Sequence, residues 1–126
     1  MAITGNGTEQ DPYIVHDYTE LASACETYPT SGSTVYVKLN NDIDCNTYGE
    51  SFEWTTINLG KDYDHVGILD LDGYTIQNIM IKTGNSLFKG FVGSILKNGN
   101  LLNIFNNSGS HVFDAVSKSS GKYWTI

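Results

Sequence analysis

Asp70 and Asp72 stand two apart in a stretch where apolar and polar residues alternate: Leu69, Asp70, Leu71, Asp72. On a β-strand such a pair points to one face, about 7 Å apart, within the separations used for glycoside hydrolysis. Asp42 and Asp44 repeat the arrangement earlier in the chain. Either pair could act as general acid and base on a sugar, or supply oxygen ligands to Ca²⁺. Asp62, Asp64 and His65 are the one acidic cluster beside a histidine, a set that could hold a divalent metal or move a proton. Plain structural demands account for all of these residues too. Outward carboxylates are what alternation with inward Ile43, Leu69 and Leu71 requires, and Asp72 starts an Asp-Gly corner where its side chain can bond the backbone. Weighed this way, no residue is assigned a catalytic, cofactor or metal role, and no cofactor is expected. Asp62, Asp64, His65, Asp70 and Asp72 stay as the acidic candidates.

Aromatics are the second group with chemical reach. Eight tyrosines and two tryptophans are available, and rings with apolar bodies and polar tips suit interfaces and sugar faces. Tyr48, Trp54 and Tyr63 fall at corners or loops, and Trp124 and Ile126 leave an apolar C-terminal stretch. These five are the candidate contact residues. His16 and His111 stand alone, and Cys25 and Cys45 lack metal-ligand spacing. Two buried free thiols, or a disulfide if the protein matures outside the cell, are the alternatives for the cysteines.

The charge balance excludes partners. All seven basic residues are lysines, against 14 acidic residues, for a net charge of −7. Such a chain repels phosphates and lacks the guanidinium fork that reads them, so neither nucleic acid nor an anionic membrane is expected as a partner. The start, Met1 to Gly5, shows no basic stretch followed by an apolar run. A chain made and used in the cytoplasm, or one whose signal is already removed, is the expectation.

The elements that must position these residues come from a repeat. Asn78-Ile79 recurs as Asn103-Ile104 at a spacing of 25, Ile76 as Leu101, Gly84 as Gly109, and Leu87-Phe88 as Val112-Phe113. A period between 20 and 50 residues marks units that bury their apolar faces only by stacking on neighbours. Ile, Val, Leu and Phe alternate with polar residues between Gly, Asn and Ser corners, so the unit is strand and turn. Val37, Ile57, Ile79 and Ile104 are taken as equivalent anchors at unequal intervals, which suits a parallel β-helix with variable corners. One helix is predicted over residues 17–27. Asp17 is its N-cap, Glu20 completes a capping box, and Leu21, Ala24 and Cys25 share a face. It would cover the open end of the first unit, with the stacked units running over residues 34–116 of a single all-β domain. The apolar end at Trp124 and Ile126 implies that more chain follows, or that this edge docks on a partner.

The opening Gly5-Asn6-Gly7-Thr8 with Asp11-Pro12-Tyr13-Ile14-Val15 and a capped helix resembles the entry to right-handed parallel β-helix proteins of the pectate-lyase-like group. Val37 to Asp44 resembles their first-rung pattern. Asp70 to Ile79 with Ser86-Leu87-Phe88-Lys89-Gly90 is similar to the glycine-rich repeat of bacterial surface adhesins, with Lys89 departing from it. Members that cleave pectin by elimination use an arginine base, and this chain has no arginine to receive that role. The resemblance implies a non-enzymatic virion component of a phage: a head fibre, a decoration protein or a tail appendage. Such proteins are often homotrimers, bound to other virion proteins. A carbohydrate-binding adhesin of a bacterial surface, with glycans as partners, is the alternative, and a polysaccharide depolymerase the next.

Overall fold

The computed structural model describes residues 3–26, 34–59, 66–90, 94–106, 113–114 and 117–119. The chain opens with a tight loop in which Gly5 and Gly7 take left-handed backbone angles. A Cβ on Gly5 would lie 2.0 Å from the Pro12 carbonyl oxygen, so only glycine fits there. Strand β1 (Tyr13–Val15) leads into helix α1 (Tyr18–Glu26). The Asp17 carboxylate accepts from the Glu20 backbone N–H at 2.8 Å. Glu20 in turn accepts from the His16 backbone N–H at 3.0 Å and lies 2.8 Å from His16 Nδ1. The capping box therefore forms as predicted, with its return bond shifted one residue upstream. Leu21, Ala24 and Cys25 are buried, and the helix packs on β1, β2 (Thr34–Leu39) and β4 (Ile57–Leu59).

The remaining strands are β3 (Ile43–Asp44), β5 (Val66–Asp70), β6 (Thr75–Ile81), β7 (Phe88–Gly90), β8 (Ile95–Lys97), β9 (Asn100–Asn106), β10 (Phe113–Asp114) and β11 (Ser117–Ser119). They form three sheets: β1-β2-β5-β8-β11, β3-β6-β9 and β4-β7-β10. From β2 onward the chain visits the first, second and third sheet in strict rotation, and every pairing between these strands is parallel among the described residues, an isolated bridge from Thr4 to Ile14 alone being antiparallel. The fold is thus all-β with parallel sheets and a single helix among the described residues.

Register partners line up like with like in the interior. Val37, Leu69 and Leu96 form one row, Ile43, Ile76 and Leu101 a second, and Ile57 faces Phe88. All eight are buried, and burial of such side chains contributes roughly 1.5–3 kcal/mol each. Ile79 pairs with Ile104 and Phe88 with Phe113, as the 25-residue repeat requires. The four expected anchors, however, are not equivalent: Val37 lies in the first sheet, Ile57 in the third, and Ile79 with Ile104 in the second. Equal apolar character at similar intervals misled here because the first pass is longer than the next: Ile43 and its partner Ile76 lie 33 residues apart, Ile76 and its partner Leu101 25. The segment joining β3 to β4 holds a short 3-10 turn, Cys45–Tyr48, and the aromatic residues Phe52 and Trp54. The expected equivalence of Gly84 with Gly109 falls partly outside the described residues.

Candidate functional site

The second sheet carries a corner within its strands. Asn78 in β6 and Asn103 in β9 have φ of 59° and 51°, left-handed angles that Asn tolerates better than most residues. The ladder skips this pair: Gln77 faces Leu102, and pairing resumes at Ile79 and Ile104. Before the corner β6 runs beside β3; after it, Ile81 bridges in parallel to Trp54. Ile76, Ile79 and Ile81 are therefore all buried although their spacing is three and then two.

The corner side chains form a column of bonds. Asn103 Nδ2 donates to Asn78 Oδ1 at 3.0 Å, and Asn78 Nδ2 donates to Asp44 Oδ1 at 2.9 Å. Asp44 also accepts from the Asn46 backbone N–H at 3.0 Å and from Gln77 Nε2 at 3.4 Å. These bonds, the Asn78 amide foremost, hold the Asp44 carboxyl below its ordinary value, against a smaller opposing effect of desolvation. Beside it, burial pushes the Cys45 thiol up to about 12, with a smaller contribution from the Asp44 charge. A thiol so placed is neutral at physiological pH and is a packing group rather than a nucleophile. Cys25 and Cys45 are both buried and unbridged.

Next to this column lies a depression of about 270 Å³. The short turn and the residues just after it line one part through Asn46 and Glu50, and Asn103, Met80 and Phe105 line another. Met80 and Phe105 are register partners on adjacent strands, exposed to 39% and 56%. With Tyr48 they are the most exposed large hydrophobic residues among those described.

The residues singled out from the sequence fare differently. Asp70 and Asp72 do not form a same-face strand pair. Strand β5 ends at Asp70, and Asp72 sits in a turn with φ of 50°, its N–H bonded to Asp70 Oδ1 at 2.8 Å. Asp70 Oδ1 also accepts from Asn98 Nδ2 at 3.3 Å, and Asp72 lies 3.7 Å from Lys38 Nζ. Asp42 precedes β3 and accepts from the Thr75 N–H, so both earlier carboxylates join one pass of the chain to the next. Trp54 is no surface contact residue: it is 0% exposed, its indole N–H donates to the Leu87 carbonyl at 2.8 Å, and its ring meets Tyr18 and Phe88 edge-on. Tyr48 is partly exposed, accepts from the Tyr18 N–H and packs on Phe52. Asp62, Tyr63, Asp64, His65, His111, Trp124 and Ile126 lie outside the described residues. Among the described residues no group of three or more His, Cys, Asp or Glu is arranged to hold a metal. Sequence reasoning passed over Met80, Phe105 and Asn46. The signal for the first two was present: they follow the repeated Asn-Ile at the same step, both apolar where alternation calls for a polar residue.

No family model, no curated protein and no solved structure matches this chain.

Proposed function

We propose that the three sheets close into a short right-handed parallel β-helix capped at its N-terminal end by α1. We further propose that the protein is a non-enzymatic structural and attachment element of a larger assembly. The observation that carries this reading is the strict rotation of consecutive strands through three parallel sheets, with aliphatic partners in register. Parallel neighbours in one sheet joined by a crossover are almost always connected right-handedly, which supports the hand. Bond columns such as Asp44–Asn78–Asn103 add rigidity at the corners. The reading agrees with the buried, neutral Cys45 and with Asp70 and Asp72 serving a turn.

A rigid stack of this kind is a spacer whose length is set by its number of turns. The assembly implied by the sequence resemblance is a phage virion, with the protein as fibre, decoration or tail appendage in a homo-oligomer, a trimer by preference. Light scattering on the purified chain, together with incubation on a panel of polysaccharides, tests the reading. An oligomer without glycan turnover supports it. A stable monomer counts against the assembly role, and measurable turnover ends the non-enzymatic one.

A further inference from the structure

We propose that the depression between Asn46, Glu50 and Phe105 binds one ring of a neutral saccharide. This rests on the attachment reading and gives it a ligand class. The apolar side of the site is Phe105 and Met80, adjacent on β9 and β6 and both open to solvent. A sugar ring presents a face of C–H groups that an aromatic ring and a thioether cover well. The polar side consists of amides and a single carboxylate: Asn46, Asn103 and Glu50. Asn103 spends its Nδ2 on Asn78, and among the described residues its Oδ1 meets no partner, nor do the Asn46 amide and the Glu50 carboxylate. Amides both donate and accept, as hydroxyl groups do, so the lining matches a polyol.

Other ligand classes fit less well. Among the described residues no lysine lines the depression, so a phosphate, sulfate or uronate would meet Glu50 with nothing there to offset it. A cation would gain little from Asp44, whose oxygens are taken by Asn78, Asn46 and Gln77. A purely apolar ligand would leave the amides unpaired. At about 270 Å³ the space is near the lower end for small-ligand sites, enough for one ring with its chain continuing into solvent. The column fixes the site: Asn78 and Asn103 set the corner that turns Met80 and Phe105 outward, and Asp44 anchors that column.

The test is an NMR titration of the full chain with neutral gluco-, galacto-, manno- and N-acetylhexosamine tetrasaccharides, with tetragalacturonate as the acidic control. The chain has only two methionines, so the Met80 methyl is readily assigned. Saturable shifts at Met80 with at least one neutral sugar, weakened roughly tenfold or more by Phe105→Ala at an unchanged unfolding midpoint, support the site. Glu50→Gln should weaken that binding only slightly. Silence across the neutral panel overturns the proposal. So does an affinity that ignores Phe105→Ala, or a response confined to tetragalacturonate or to the separate groove around Tyr36, Lys38 and Lys97. Light scattering on the same sample separates the two readings. An oligomer that binds no sugar, or buries Phe105 between copies, removes this proposal alone; a monomer that binds removes the assembly role alone.

Discussion

Trp54 and Phe105 are both aromatic, both follow a corner, and they end in opposite surroundings. Trp54 lies beneath α1 and its neighbours, with Tyr18 edge-on at 4.7 Å, Phe88 at 5.7 Å and the indole N–H satisfied by Leu87. Phe105 stands on the second sheet beside Met80 with more than half its surface open. Ring chemistry does not distinguish them. The difference is whether another segment lies over the ring, and α1 through Tyr18, with Phe88 of β7, supplies one for Trp54. An aromatic of the first kind holds the fold, and one of the second kind is available for contact.

The comparison breaks most readily by truncating both rings. Trp54→Ala removes a large buried side chain and one of the two bonds to the Leu87 carbonyl, which keeps the Ile57 N–H, a loss of about 3–5 kcal/mol in urea unfolding. Phe105→Ala should stay within about 0.5 kcal/mol of the parent. Similar costs for the two would mean that Phe105 is covered in solution and that the contrast is wrong.

Next in size is the corner between these regions. Asn78→Leu forces a left-handed angle on a residue that resists it and deletes two side-chain bonds, together about 2–3 kcal/mol. Asn78→Gly loses the bonds but accepts the angle, and should cost about 1 kcal/mol less than the leucine. Equal midpoints for the two variants would show that backbone angle contributes nothing at this corner. At the capped end, Asp17→Ala should cost about 1 kcal/mol by removing the acceptor for the Glu20 N–H. Lys38→Ala, which removes only an exposed 3.7 Å contact to Asp72, should leave the midpoint unmoved.

How much of this was legible in the chain depends on the distance over which each feature is encoded. The helix and its cap were readable because Asp17, Glu20 and the face of Leu21, Ala24 and Cys25 are local. Strand β2 was readable because Val35, Val37 and Leu39 alternate cleanly. The pairing of Ile79 with Ile104 was readable because the stretch from Ile79 to Phe88 and that from Ile104 to Phe113 are equal in length. The earlier register was not: Val37 pairs with Leu69 and Ile43 with Ile76, at intervals of 32 and 33 residues that exceed the later 25 without altering the apolar pattern. The candidate site was the least legible part. Asn78 and Asn103 were recognised as a repeat, but a left-handed angle inside a strand leaves little trace in alternation, so Met80 and Phe105 were passed over. Asp70 and Asp72 were read as a strand pair for the related reason that a turn following directly on a strand keeps the same alternation.

The smallest effect expected to be measurable concerns the charged foot of the corner column. Bonds from Asn78, the Asn46 N–H and Gln77 hold Asp44 below its ordinary value of 3.8, so folding favours the ionised form. Its contribution is therefore fully present above the unfolded-state value and is lost as pH falls through the lower folded-state value. Asp44→Asn keeps an oxygen that can accept from Asn78 but removes the charge, which isolates this contribution. Parent and variant should differ most at about pH 5 and converge toward about pH 2, as urea midpoints across that range would record. A difference that stays constant, or that widens in acid, would mean the column draws nothing from the carboxylate charge. The corner would then rest on the left-handed asparagines and neutral bonds alone, and the exposed placement of Met80 and Phe105 would owe nothing to Asp44.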